Sequence, residues 1–275
     1  MIEVEKVAAA VGGLVHGADL RRHLTAKQLG DLEQALATHG VLFFRDQDLT
    51  APEQRDFAAQ FGPLEGHPAY ATVEEAPEVT ILESTADKPS LIEQWHTDMT
   101  FRPDPPLGSV LLARVIPEAG GDTQWSSTTA AFAALSDAMQ AFLSGLTAIH
   151  DFSHGFRESL AEPGGRERLA GAVAANPPVE HPVVIRHPVT GDRALYVNSL
   201  FTVCIKGMKP RESRALLDFL FAHVTEPEFV CRFRWSPGAI AFWDNRCTQH
   251  KPVNDYWPAH RLMHRVTVKG ARPVA

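Results

Sequence analysis

Cysteine is scarce in this sequence. There are three, Cys204, Cys231 and Cys247, odd in number and far apart. No C-x-x-C pair exists, which argues against a cysteine-based zinc site, and such scattered thiols fit a reduced protein of the cytoplasm. Long apolar runs are missing too: none approaches the ~18 residues that a membrane-crossing helix needs. The opening stretch "MIEVEKVAAAVGG" has no basic segment followed by an apolar one, so no signal peptide is expected. Positive charge is in deficit, with 26 Lys and Arg against 33 Asp and Glu and a net charge of −7. That argues against nucleic acid or an anionic membrane as the main partner, while leaving room for a local basic site for a small anion. Absent as well are G-x-G-x-x-G after a strand, G-x-x-x-x-G-K-[ST] and H-E-x-x-H. The dinucleotide, P-loop and helix-borne zinc-hydrolase readings therefore lack their motifs.

What is present is an ordinary core. No internal repeat or low-complexity linker divides the 275 residues, and a single domain over 1–275 is expected. "TAKQLGDLEQALATHG" (25–40) has helical spacing and ends on a glycine suited to a C-cap. "TAPEQRDFAAQFG" (50–62) and "KPRESRALLDFLFAHV" (209–224) also read as helices. Strand-like runs are more numerous, at 41–47, 78–84, 108–116, 147–152, 181–188, 193–198, 228–235, 238–244 and 261–268. "VTGD" makes a hairpin of two of them. Many strands, few helices and no βαβ alternation predict an antiparallel sandwich or barrel, mainly β with flanking helices.

The stretch "QWHTDMTF" (94–101) raises the question of a metal. On a strand, residues i and i+2 share a face, so His96 and Asp98 would project together. A third ligand is offered by His250 in "WDNRCTQHKPVNDYW", where an apolar strand gives way to a polar loop. Two histidines and one carboxylate form the facial triad of non-haem Fe(II), with three positions open. In "HRLMHRVTV" the same alternation puts Arg261, Met263 and Arg265 on one face. Two guanidiniums aimed into a barrel are costly unless anions meet them, and their planar forks suit a carboxylate or a sulfonate.

Taken together, "HGVLFFRDQ", "WHTDMTF", "GGDTQW", "NPPVEHPVV", "WDNRCTQH" and "DYWPAHRLMHR" resemble the Fe(II)/2-oxoglutarate dioxygenases of the taurine dioxygenase type. The resemblance spans nearly the whole chain. It implies a double-stranded β-helix, a cupin-like jelly roll, with His96, Asp98 and His250 as iron ligands and 2-oxoglutarate and O₂ as co-substrates. Arg261, eleven residues after His250, matches the arginine that pairs with the far carboxylate of 2-oxoglutarate, and Thr123 the threonine that hydrogen-bonds it. Arg265 matches the arginine for the anionic end of the substrate. His67 and Tyr70 match pocket residues, and Phe156 and Phe201 its aromatic walls. The expected reaction is hydroxylation beside a sulfonate, taurine or a related alkanesulfonate, with release of sulfite and an aldehyde. A lid within 67–95 and a homo-oligomer, dimer or tetramer, are further expectations.

One departure bears on the substrate. Where taurine-specific members carry polar residues for the amine, this chain has Leu91, Ile92 and Gly155. A desolvated ammonium needs acceptors, whereas such a wall suits an alkyl chain. An alkyl sulfate ester dioxygenase is thus the alternative on the same scaffold. A zinc hydrolase or a non-catalytic jelly-roll binding module stands as the alternative of another class.

Overall fold

Pleat alternation organises the molecule. In the strand Val41–Phe44, Val41 and Phe43 enter one apolar cluster with Trp125, Trp235 and Trp243, while Leu42 and Phe44 enter another with Leu32, Leu36 and Phe57. The strand Ile240–Asp244 divides likewise, with Ala241 and Trp243 on the first side and Ile240 and Phe242 on the second. Each large apolar side chain buried this way contributes roughly 1.5–3 kcal/mol. The computed structural model describes residues 2–66, 70–90 and 92–275. His67 and Leu91, both given roles above, lie outside the described residues.

The larger sheet runs in the order Glu3–Lys6, Gly13–His16, Val41–Phe44, Ile240–Asp244, Gly108–Val115, Arg261–Val268, Ala76–Ser84, Thr72–Val73, with Leu64–Glu65 also paired to Arg261–Val268. Pairing is antiparallel except between Gly13–His16 and Val41–Phe44. Its inner face packs on a second layer, Val230–Phe233, Thr123–Ser127 and Thr248–Pro252. A third group, Val179–Pro182, Thr147–His150 and Thr202–Ile205, lies beside the hairpin Val184–Arg186 and Arg193–Leu195. This is the mainly β, helix-flanked jelly roll expected. At Gly108 a Cβ would come 2.1 Å from the Trp243 carbonyl oxygen, so only glycine lets these strands approach.

The helices Ala26–His39 and Ala51–Ala59 cover the outer face. Both start with a capping box, Thr25 with Gln28 and Thr50 with Glu53, and the first ends at Gly40, whose φ is +70°. The amide of the fully buried Gln54 donates to Val110 O at 3.0 Å and His264 O at 2.9 Å, fastening the second helix to the sheet. The helix Pro210–His223 is also as expected. Five more helices, Thr128–Ala133, Asp137–Leu143, Phe152–Gly155, Arg157–Ala161 and Gly165–Ala175, correct the expectation of few helices. Most are too short for an apolar period, and Gly165–Ala175 buries only Gly165 and Leu169. No helix among the described residues is long and apolar enough to cross a membrane.

Candidate active site

His250 lies on Thr248–Pro252, opposite Trp125 of Thr123–Ser127. His96 is joined to it by two reciprocal backbone bonds, His96 N–H to His250 O at 3.0 Å and His250 N–H to His96 O at 2.8 Å. This single bridge is all the strand character that residues 94–101 possess. Asp98 opens a turn, and Met99 follows with a φ of +47°. The expectation that His96 and Asp98 share one face of a regular strand is therefore corrected: a turn carries the carboxylate to the histidines. Thr97 pins that turn, its hydroxyl donating to Thr248 O at 2.8 Å.

The three side chains converge. Asp98 Oδ1 is 3.8 Å from His96 Nε2 and 3.9 Å from His250 Nε2, and the imidazole centroids are 4.2 Å apart. The His96 Nδ1–H donates to Gln94 O at 3.0 Å, which leaves the Nε2 lone pair for a ligand. Asp98 Oδ2 accepts from Ser109 Oγ at 3.0 Å and Oδ1 from Arg265 Nη1 at 3.3 Å. Burial alone would raise the Asp98 pKa, but Arg265, the two histidines and the Ser109 bond hold it well below the usual carboxylate range. Burial lowers His96, and burial with its neighbour His96 takes His250 down to about 3. An ionised carboxylate beside two neutral imidazoles is the protonation state that metal binding requires. An ion with bonds of ~2.0–2.2 Å fits between ligand atoms so spaced. The donor set, two imidazoles and a carboxylate, suits Fe(II).

A second cluster, His187, Asp244 and Cys247, brings ligand atoms together without being open to an ion. Asp244 receives the Arg246 fork at 2.8 and 2.6 Å and His187 Nε2 at 3.0 Å, while His187 Nδ1 accepts from the Val189 and Thr190 amides. Every group there is satisfied within the chain.

On the other side of the triad, Arg261 and Arg265 point inward, as the alternation required, flanking the fully buried Met263. Arg261 forms no ion pair among the described residues, and its Nε is buried without a hydrogen-bond partner. Burial lowers its pKa, opposed by Tyr256 and Asp122. A buried guanidinium in this condition is a site for an anion. Gly121, two residues before Thr123, packs against Arg261: a Cβ built on it would touch Arg261 Cδ at 3.3 Å. Thr123 Oγ1 accepts from Trp235 Nε1 at 3.0 Å, and its own hydrogen is available to donate.

Arg265 likewise has a buried Nε without a partner, and its guanidinium lies 5.8 Å from the Tyr70 ring centroid. Burial raises the Tyr70 pKa. Phe201 meets His96 edge-on at 6.4 Å and Phe101 at 5.0 Å, and Phe156 stacks on Phe152 at 4.4 Å. With Met99 and Leu200 these rings form one apolar cluster. Gly155 contributes no polar group: a Cβ there would lie 2.3 Å from Phe201 Cε1. Ile92 is half-buried and is held by Asn254 Nδ2 on its carbonyl at 2.9 Å. Ser109 and the Gln94 carbonyl, which steady the triad, gave no signal in the sequence.

Residues 3–267 match the family described as taurine catabolism dioxygenase TauD, TfdA family. An alkylsulfatase of Acinetobacter baylyi is 35% identical, the match covering 98% of this chain and 85% of that protein. An alpha-ketoglutarate-dependent sulfate ester dioxygenase of Pseudomonas putida is 34% identical over 99% and 91%. Among solved structures, a taurine dioxygenase from Burkholderia xenovorans superposes with a TM-score of 0.85 at 38% identity, covering 100% of this chain and 91% of that one. With the triad and the inward arginines already in view, these matches lead to one conclusion: the chain belongs to the TauD, TfdA family and is a non-haem iron dioxygenase that uses Fe(II), 2-oxoglutarate and O₂.

Proposed function

We propose that this enzyme hydroxylates the carbon next to the sulfur oxyanion of a substrate with an apolar chain, an alkanesulfonate in the first reading. His96, Asp98 and His250 would hold the iron, Arg261 and Thr123 the far carboxylate of 2-oxoglutarate, and Arg265 the sulfonate. When bound, the iron with 2-oxoglutarate and O₂ supplies the oxidant that replaces C–H by C–OH, the co-substrate leaving as succinate and CO₂. An α-hydroxy sulfonate then expels sulfite and becomes an aldehyde. The chain's own share is positioning. Arg265 holds the head group one carboxylate away from the histidines, the aromatic wall keeps water from the alkyl part, and the buried site strengthens each charge pair.

The observation that carries this reading is the pairing of a buried guanidinium, Arg265, with a wall of Phe101, Phe156 and Phe201. The wall rewards an alkyl chain by ~0.8 kcal/mol per buried CH₂, about fourfold, and offers an ammonium nothing. The test is kcat/KM for taurine, alkanesulfonates and medium-chain alkyl sulfates, followed by succinate together with sulfite or sulfate release. Chain-bearing substrates should lead; taurine ahead by more than ~tenfold, a margin of 1.4 kcal/mol, would sink the reading. The sulfate ester is the second reading, favoured by the relatives from Acinetobacter and Pseudomonas. There the hemiacetal-like product would lose sulfate instead of sulfite.

The same proposal keeps the chain in the cytoplasm, supported by three cysteines that are all free thiols. It also keeps a single domain, a dimer or tetramer, and a lid within 67–95, of which residues 67–69 and 91 lie outside the described residues. Light scattering and hydrogen exchange with and without substrate test the last two.

A further inference from the structure

The loop from Val253 to His260 touches both sides of the co-substrate end. Asp255 Oδ1 accepts the Gly121 amide at 2.8 Å, and Arg232 reaches Asp255 Oδ2 at 3.4 Å and Asp122 Oδ2 at 2.6 Å. The neighbouring Tyr256 is buried, and the Arg261 guanidinium carbon lies 5.8 Å from its ring centroid. The Tyr256 hydroxyl bonds Ser84 Oγ at 3.1 Å, and Ser84 is the register partner of Arg261 across the sheet. Gly120 and Gly121 both have positive φ, +78° and +74°. A Cβ on Gly121 would come within 3.3 Å of Arg261 Cδ and of Tyr256 Cδ1, and one on Gly120 would come 2.6 Å from Asp255 Oδ1. Backbone, ring and guanidinium stem are therefore packed without spare room.

Arginine is a long side chain with much rotamer freedom to lose, and Arg261 forms no ion pair with a carboxylate among the described residues. The ring of Tyr256 and the backbone at Gly121 are what confine it. We propose that Tyr256 is a positioning residue for the 2-oxoglutarate end, and that Asp255, by tying down the Gly120–Gly121 turn, fixes the spacing between Thr123 and Arg261. This rests on the reading of Arg261 as the partner of the co-substrate carboxylate. Neither Tyr256 nor Asp255 touches the co-substrate in this account. Both act by setting where the arginine stands before the anion arrives, which is preorganisation of a binding site.

The experiment titrates 2-oxoglutarate anaerobically by calorimetry into the Fe(II)-loaded wild type and the variants Tyr256→Leu, Tyr256→Phe, Asp255→Ala and Arg261→Ala. Tyr256→Leu should weaken binding roughly tenfold, the scale of a desolvated cation–π contact (~1.4 kcal/mol), and Tyr256→Phe should restore it to within ~twofold. Turnover at saturating 2-oxoglutarate should fall far less than the KM for 2-oxoglutarate rises, with the KM of the prime substrate unmoved. Asp255→Ala, at an exposed position, tests the clamp even if Tyr256→Leu does not fold, and should raise the same KM. Normal binding by Arg261→Ala would remove the underlying reading. Weak binding by Arg261→Ala beside normal binding by Tyr256→Leu and Asp255→Ala would overturn the proposal and leave that reading standing. Equal weakening by Tyr256→Leu and Tyr256→Phe would overturn the role of the ring, since the hydroxyl, through Ser84 and Arg261, would then carry the effect.

Discussion

Gly155→Ala is a one-carbon change with a calculable outcome. Gly155 ends the helix Phe152–Gly155, and its φ lies outside the left-handed region, so the backbone itself accepts alanine. The new Cβ would lie 2.3 Å from Phe201 Cε1 and 2.5 Å from Cδ1, against an ordinary carbon contact of ~3.5–4.0 Å. The ring must retreat by about 1 Å or more, yet it is 4% exposed and has Phe101 at 5.0 Å and His96 at 6.4 Å. Overpacking of this kind costs ~1–3 kcal/mol, which lowers Tm by roughly 2–12 °C for a chain of this size. The displaced ring would also take space from the apolar wall, so kcat/KM should fall more for long-chain substrates than for short ones. Scanning calorimetry and a chain-length series give both readouts. Phe201→Leu, added to Gly155→Ala, should relieve the clash and recover part of the lost Tm, a non-additivity expected of touching residues. An unchanged Tm and an unchanged chain-length profile in Gly155→Ala would refute the packing of Phe201 against Gly155.

Three other outcomes follow from the triad and its surroundings. His96→Ala, Asp98→Ala and His250→Ala should each abolish turnover and Fe(II) binding in a folded protein; Asp98→Ala should also lose roughly 3–5 kcal/mol in denaturant unfolding, because it strands the buried Arg265. Thr123→Ala should weaken 2-oxoglutarate binding by ~1.5–3 kcal/mol, one hydrogen bond to a charged group, read in the same calorimetric titration. The histidines set a pH dependence for the metal-free protein. Their folded pKa values lie below the ordinary 6.5, His250 at about 3, so the unfolded chain takes up more protons. The stability they contribute is present above pH 6.5 and is lost as pH falls towards 3, which urea midpoints measured across that range should follow.

Much of the framework could be read in advance because it depends on local rules. Capping boxes at Thr25 and Thr50, the glycine after His39 and the two-residue alternation in "HRLMHRVTV" each act through nearest neighbours. The triad was legible as residue types but not as geometry, since the turn at Met99 has a left-handed φ on a residue that does not advertise one. The helices between 128 and 175 were hidden because they bury few side chains, and serine caps such as Ser127 and Ser136 resemble any loop serine. Ser109 is a small polar residue inside the apolar run "GSVLLARV", and only the folded sheet reveals that it faces Asp98. Family membership disposes of the zinc-hydrolase and non-catalytic alternatives, which the bare residue pattern had left open.

The two backbone bonds that lock His96 to His250 have a consequence for metal traffic. Since both proposed ligands sit on one hydrogen-bonded rung, their backbone spacing is set when that rung forms and not when an ion arrives. The metal-free protein would therefore meet every divalent ion with the two histidine backbones already paired. A site of two imidazoles and a carboxylate follows the general order of affinities, in which copper, nickel and zinc outrank Fe(II). Loading with the productive ion must then be governed by which ions the surroundings supply. Enzyme isolated from metal-rich medium should accordingly carry tightly held, inert ions that chelation and Fe(II) replacement can exchange without any refolding step.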